Sequence, residues 1–257
     1  MELELSQYIL ISVIFLVTSA IGVVTGSNSL IAVPALLLIS KNIDPKTAVA
    51  TNMFGLTFMS VGASIPFIKE RQVDKERLLP LVILTLIGSG IGAVLIGEID
   101  SPDSIKAIIA VSMVGVSAFV LVQPKPGDGL RDVAGSTLVA IGYTFSFLLA
   151  IYGGFFSGGY VTMLTFVFVA FFAFEMRKAI ATTKVINVFS SFIATLIFIY
   201  NDLVDFRLGA LLAVMMFTGA YMGARIVTKL DELWLKRIFF SVAFLVSLKL
   251  IYDLVCA

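Results

Sequence analysis

The sequence has no histidine and a single cysteine, Cys256, next to the last residue of the chain. Without histidine there is no histidine-ligated metal site, no histidine-based catalytic triad and no HExxH protease motif. One cysteine cannot form a disulfide within the chain. The composition therefore argues against an enzyme, and it predicts neither a metal nor a cofactor.

Charge is also scarce, because only 14% of the residues are charged and the net charge is +1, whereas 59% are hydrophobic. This balance gives no basis for nucleic-acid binding. Apolar runs of about 17–22 residues, separated by polar linkers of about 4–14, recur along the chain, and a spanning helix needs about 20. The acidic N-terminus lacks the basic region of a cleavable signal peptide. We therefore predict an all-α integral membrane protein, embedded in the lipid bilayer, that keeps its first apolar segment.

The apolar sequence contains an internal repeat. When the chain is displaced so that residue 48 falls on residue 179, a shift of 131 positions, Ala48-Val49-Ala50-Thr51 aligns with Ala179-Ile180-Ala181-Thr182. Identities continue without a gap as far as Asp100 and Asp231. A repeat of this length indicates an internal duplication.

The matching loops carry opposite charge. Loop 69–77 contains four basic residues, whereas its counterpart 201–207 contains one base and two acids. In the next pair, 98–103 is acidic and 225–237 contains four bases. Because basic loops stay in the cytoplasm, the two halves are predicted to cross the membrane in opposite directions, as the inverted repeats of secondary transporters do.

We place the first repeat at 1–122, a Pro- and Gly-rich cytoplasmic linker at 123–135 and the second repeat at 136–257. The predicted apolar segments are 8–24, 28–40, 47–68, 78–97 and 105–122, then 136–152, 155–174, 179–199, 208–224 and 237–254. Segment 28–40 is too short to span comfortably and is predicted to be a half-helix or part of a re-entrant hairpin, so about 8–10 segments cross the membrane. Twelve of the eighteen Lys and Arg residues then lie inside. This favours an inner (plasma) membrane location with both termini outside.

Small residues four apart recur at matching places in both halves. The pairs are Gly22 and Gly26, Gly88 and Gly92, Gly154 and Gly158, and Gly219 and Gly223. Such stripes let helix backbones approach closely. Tight packing within one subunit is the first interpretation, and a homodimer is the alternative.

A polar interruption follows the first segment and is repeated in the second half. It reads Thr25-Gly26-Ser27-Asn28-Ser29, followed by Pro34, and its counterpart runs from Gly153 through Ser157 to Thr162. Interrupted helices expose N–H groups that suit an anion, and paired interruptions indicate the binding site of a transporter. Candidate ligands to a substrate are therefore Ser27, Asn28, Ser29 and Ser157. The alternative is a tight turn with no ligand.

A second polar region lies near the start of a long helix in each half. Its candidate residues are Thr51, Asn52, Thr182, Thr183, Lys184 and Asn187. The threonines also suit local capping of backbone N–H groups. Lys184 lies about two turns into an apolar segment, where a cation costs about 2.5–3.5 kcal/mol near the bilayer centre. Polar residues share its helix face, which favours a water-lined cavity for an anion over snorkelling to the interface.

These same residues resemble the sulfite exporter TauE/SafE family, also called the toluene-sulfonate uptake permeases. The resemblance rests on Gly26 to Pro34 followed by Ala48-Val-Ala-Thr51-Asn52, and on Gly154-Phe-Phe-Ser157-Gly158 with Lys178-Ala-Ile-Ala-Thr182-Thr183. It covers the whole chain. It implies a polytopic transporter of sulfur-containing anions such as sulfite, sulfoacetate or other organosulfonates. The chain departs from the family pattern where Ser27-Asn28-Ser29 replaces a glycine triplet and Met163-Leu164-Thr165 replaces the second.

Together these features predict a secondary transporter, a permease or exporter, that moves a small anion by alternating access between two inverted halves. A passive anion channel is one alternative, since it also needs a polar lumen. A non-transporting membrane assembly protein is another, although it needs no polar residues within its helices.

The reversed loop charges predict that cysteines placed at Gln72 and Asn201, each in a Cys256→Ser background, are labelled from opposite sides of the membrane. An impermeant thiol reagent applied to right-side-out and inside-out vesicles measures this. Equal labelling of both positions from one side contradicts the inverted topology.

Overall fold

The computed structural model describes residues 4–26, 28–40, 43–122, 136–231 and 234. All regular secondary structure in these residues is helical, without strands. The helices are α1 (Leu5–Thr25), α2 (Asn28–Ile39), α3 (Pro45–Lys69), α4 (Leu78–Gly97), α5 (Pro102–Val122), α6 (Ser136–Phe155), α7 (Tyr160–Phe171), α8 (Met176–Tyr200) and α9 (Phe206–Val227). Six are long and apolar enough to cross a membrane, whereas α2 and α7 are shorter apolar helices. The predicted all-α membrane fold is confirmed. The predicted segment 237–254 lies outside the described residues.

The two short helices have 12 residues each. At 1.5 Å per residue they are about 18 Å long, well below the roughly 30 Å of a bilayer core. The prediction that segment 28–40 is too short to span the bilayer by itself is therefore confirmed. In the second half the predicted segment 155–174 is wrong at its start, because α6 runs on through Gly153 and Gly154 to Phe155. The interruption falls just before α7, where Gly159 has a left-handed φ of 77° that glycine adopts readily.

The duplication is visible in the helices themselves. Helices α3 and α8 have 25 residues each and begin 131 positions apart, at 45 and 176. Helix α9 packs along α3 and α1, and its counterpart α4 packs along α8 and α6. Each half therefore supplies the helix that covers the other half's central helix.

Polar residues are concentrated on the two central helices. The side chains of Thr51, Asn52 and Ser60 on α3, and of Lys184 and Asn187 on α8, are all buried. The outer helices instead expose large apolar side chains, among them Val13, Val17 and Ile21 on α1 and Ile83, Ile87 and Ile91 on α4. This arrangement suits an apolar surface in lipid around a polar interior.

The glycine stripes pack helices within the subunit. A Cβ added at Gly92 would collide with the carbonyl oxygen of Ile151, so α4 lies directly on α6. A Cβ at Gly223 would collide with the carbonyl oxygen of Ala20, so α9 lies on α1 in the same way. The first interpretation of these stripes, tight packing inside one chain, is therefore confirmed for α4 with α6 and for α9 with α1.

Replacing Gly92 by alanine should destabilise the fold by about 1–3 kcal/mol, because the new methyl group must push α4 away from α6. Gly90→Ala on the same helix is the matched control, since its Cβ would have no neighbour nearer than 3.8 Å. Alanine also favours a helix by about 1 kcal/mol over glycine, so Gly90→Ala should be neutral or stabilising. Thermal unfolding of the purified protein in detergent measures both. Equal effects of the two variants would contradict close packing at Gly92.

Candidate functional site

The two interrupted helices meet inside the bundle. Helix α1 ends at Thr25 and is capped by Gly26, whose φ of 69° is left-handed, and α2 begins at Asn28. A Cβ at Gly26 would lie 2.8 Å from the amide nitrogen of Thr162 and from the Cβ of Val161. The first interruption therefore rests directly on the start of α7.

A small cavity lies at this crossing. It is bounded by α1, α2, α3, α7, α8 and the segment between α6 and α7. Its polar lining residues are Asn28, Ser29, Ser60, Ser157, Lys184 and Asn187. The free volume is about 10 Å³, room for about one water molecule. The cavity is thus closed to any larger solute in this conformation.

Lys184 is the charged group of the cavity. Its side chain is 2% exposed, so it does not reach the surface as a snorkelling lysine does. Its Nζ donates to the carbonyl oxygen of Gly22 at 2.8 Å, and that oxygen also accepts from the amide of Gly26 at 2.8 Å. The carbonyls at the C-terminal end of a helix carry partial negative charge. An ammonium group has three N–H donors, so two remain for a ligand.

Two buried amides that line the cavity with Lys184 have polar atoms without a partner. Asn28 is 3% exposed, and neither its Oδ1 nor its Nδ2 has a hydrogen-bond partner among the described residues. Asn187 donates from Nδ2 to the Oγ of Ser60 at 2.7 Å, but its Oδ1 is also unpaired. An unsatisfied buried polar group costs about 1–3 kcal/mol. Such groups in a native fold point to a bound water or ligand.

Five of the predicted site residues line the cavity, namely Asn28, Ser29, Ser157, Lys184 and Asn187. The Oγ of Ser29 accepts from the Nδ2 of Asn52 at 3.0 Å. Asn52 therefore reaches the cavity only through Ser29. Thr183 donates to the carbonyl oxygen of Ile180 at 2.9 Å, on its own helix. Ser27 lies outside the described residues.

Thr51 and Thr182 lie away from the cavity and join the two halves. The Oγ1 of Thr182 accepts from the amide of Asp74, and the Oγ1 of Thr51 accepts from the amide of Asp205, both at 3.0 Å. The two contacts are counterparts in the repeat. The threonines thus hold the loop that precedes α4 or α9 against the central helix of the other half.

Sequence reasoning did not select Ser60 or the carbonyl of Gly22 as site groups. Ser60 lies eight residues after Asn52 on α3, on nearly the same helix face, and this spacing could have revealed it. The role of the Gly22 carbonyl depends on the end of α1 lying against α8 and has no signal in the sequence.

Among the described residues, only one of the two loop contacts contains an ion pair. Asp74 is 2% exposed and pairs with Lys178 at the start of α8, and its Oδ1 accepts from the amide of Arg77 at 2.8 Å. Burial alone would raise the pKa of Asp74, but the Lys178 ammonium and the Arg77 amide outweigh it and lower the pKa below the usual value. Asp205 accepts from the amide of Leu208 at 3.0 Å. The counterpart of Lys178 in the repeat is Thr47, which is uncharged.

The profile of the family described as "Sulfite exporter TauE/SafE" matches residues 10–250, nearly the whole chain. The chain belongs to this family. It is 27% identical over 237 residues to a probable membrane transporter protein of Haemophilus influenzae, with 92% of this chain and 91% of that protein covered. It is 28% identical over 252 residues to the probable membrane transporter protein YfcA of Escherichia coli K12, with 95% and 91% covered.

A more distant relative is the probable membrane transporter protein YunE of Bacillus subtilis, which is 22% identical over 269 residues, with 96% of this chain and 98% of that protein covered. No solved structure matches the chain significantly. The family and these relatives are membrane transporters and not enzymes. The resemblance read from the sequence is therefore confirmed, and this TauE/SafE chain is a membrane transporter.

Asp74→Asn should destabilise the protein by about 2 kcal/mol at neutral pH, because a charged hydrogen-bond acceptor is lost. Because the pKa of Asp74 is lower in the folded protein than in the unfolded one, where an Asp has a pKa of about 3.9, its charge stabilises the fold at pH values above about 3.9. This stabilisation is lost as the pH falls through the pKa of the folded state. The difference in melting temperature between parent and variant should thus vanish at strongly acidic pH.

The control is Asp103→Asn. It removes an exposed pair in which the Nζ of Lys106 lies 3.3 Å from Asp103, and exposed pairs contribute little. A difference for Asp74→Asn that persists unchanged at acidic pH would contradict the ion-pair explanation.

Proposed function

We propose that this TauE/SafE transporter moves a small sulfur-containing anion, such as sulfite, sulfoacetate or another organosulfonate, across the inner (plasma) membrane. Transport proceeds by alternating access between two inverted halves, with both termini outside. The substrate binds in the cavity where the two interrupted helices cross. Lys184 supplies the charge, and Asn28, Asn187, Ser60 and Ser157 supply hydrogen bonds.

The observation that carries this proposal is the buried Lys184 ammonium. It faces a helix-end carbonyl and neutral amides with unpaired polar atoms, and it has no ion-pair partner among the described residues. A buried charge is costly unless it is paired. An anionic substrate in the cavity would complete the pair and bind the two free ammonium donors.

The closed cavity favours a carrier over a passive channel. With room for about one water molecule, it cannot pass an oxyanion unless the helices around it rearrange. The paired contacts Thr182–Asp74 and Thr51–Asp205 are suitable gates, because each joins a loop of one half to the central helix of the other. If the halves are inverted, these two contacts lie on opposite faces of the membrane, as alternating access requires.

Counterflow tests the mechanism. Proteoliposomes loaded with unlabelled sulfite should accumulate radiolabelled sulfite transiently against its gradient, and uptake should saturate with concentration. Flux that neither saturates nor shows counterflow would identify a channel. Vesicles that transport none of sulfite, sulfoacetate and methanesulfonate would contradict the proposed substrate class.

Lys184→Met keeps the side-chain stem and removes the charge. It should weaken binding of methanesulfonate at least about thirtyfold, because loss of a buried charge partner costs about 2 kcal/mol or more. The unliganded variant should unfold at the same or a higher temperature, because an unpaired buried cation is replaced by an apolar group. Calorimetry and thermal unfolding measure the two effects.

Lys46→Met is the matched control, since the Nζ of Lys46 also donates to a glycine carbonyl, that of Gly97 at 2.9 Å, but does not line the cavity. It should bind methanesulfonate as the parent does. Lys184→Arg should retain part of the affinity, although its planar fork differs from an ammonium. Parental affinity in Lys184→Met would remove Lys184 from the binding site.

A further inference from the structure

The cavity holds one formal charge. Its lining from α1, α2, α3, α7, α8 and the segment between α6 and α7 contributes neither a carboxylate nor a second basic group among the described residues. The other polar lining groups are the neutral amides and hydroxyls of Asn28, Asn187, Ser29, Ser60 and Ser157. The electrostatic complement of this set is therefore a single negative charge.

We infer that the cavity selects monoanionic oxyanions over dianions of the same shape, so that the transported form is a bisulfite-like or simple sulfonate monoanion. This inference rests on the proposed function and narrows it. Sulfoacetate, which carries a carboxylate in addition to its sulfonate, is disfavoured.

The selectivity arises because the cost of dehydrating a ligand and its attraction to Lys184 depend differently on the charge of the ligand. The cost of removing an ion from water rises with the square of its charge, whereas its attraction to one lysine rises only in proportion. A monoanion paired with Lys184 leaves the buried site neutral. A dianion leaves one negative charge without a cationic partner, so only neutral donors remain to offset the hydration that it loses.

The hydrogen-bond donors fit the same class of ligand. Lys184 has two ammonium donors beyond its bond to Gly22, and the Nδ2 of Asn28 has two more without partners. These four donors match the three oxygens of a sulfonate group, each of which accepts hydrogen bonds. The neutral donors select the shape and orientation of the ligand, whereas Lys184 selects its charge.

Methanesulfonate and methylphosphonate test this inference, because they have nearly the same shape and size. At mildly alkaline pH the sulfonate is a monoanion and the phosphonate is a dianion. Calorimetry on the purified full chain should then give methanesulfonate at least about a tenfold advantage. At mildly acidic pH the phosphonate gains a proton and becomes a monoanion, so the advantage should shrink. Both ligands are measured on the same protein at each pH, so at a given pH they meet the same protonation state of Lys184.

Asn28→Ala is the second variant. It removes neutral donors, so it should weaken both ligands by similar factors and leave their ratio at alkaline pH unchanged. Equal or tighter binding of dianionic methylphosphonate by the parent would overturn the charge selection and leave the proposed function standing. A ratio that collapses in Asn28→Ala would also overturn it, because selection would then come from the amide. If the parent binds none of methanesulfonate, methylphosphonate and sulfite, both this inference and the proposed function are overturned.

Discussion

The constraint on which this structure depends is that backbone polar groups in a bilayer must find partners other than water. Helices meet it along their length, but α1 and α6 each stop inside the bundle, where the freed groups are acceptable only if they face protein or a polar cavity. The fold brings the two interruptions together, with Gly26 against Val161 and Thr162. The carbonyl of Gly22, in the last turn of α1, then becomes the partner of a buried lysine.

That lysine determines the chemistry of the site. An ammonium that donates to one carbonyl and has no ion-pair partner among the described residues costs free energy, and the unpaired amides of Asn28 and Asn187 add to that cost. A resident carboxylate would stabilise the empty protein, but it would also occupy the position that an anion needs. Stability is thus reduced where the chain has donors left for a ligand, as is usual for a binding site of the kind proposed.

The parts predicted from the sequence are those that depend on local periodicity and composition. The bounds of α4 match the prediction because the apolar run is continuous, and Lys184 with Asn187 was found from helical spacing. The end of α6 was missed because Gly153 and Gly154 look like a helix break, whereas α6 needs them to pass Tyr160 and Ser89 closely. The role of Thr182 in holding the amide of Asp74, 108 residues away in sequence, has no local signal.

The two halves share the arrangement of their helices but differ in their charged residues. Helix lengths, the paired threonine contacts and the glycine stripes occur in both halves. Lys184 and Asn187, however, correspond to Met53 and Leu56, and the Asp74–Lys178 pair corresponds to Asp205 and Thr47. In the alternating access proposed above, the shared features are those that both conformations need. The unshared ones make the proposed site one-sided and, among the described residues, tie one loop by an ion pair that the other lacks, so the two conformations need not be equal in free energy.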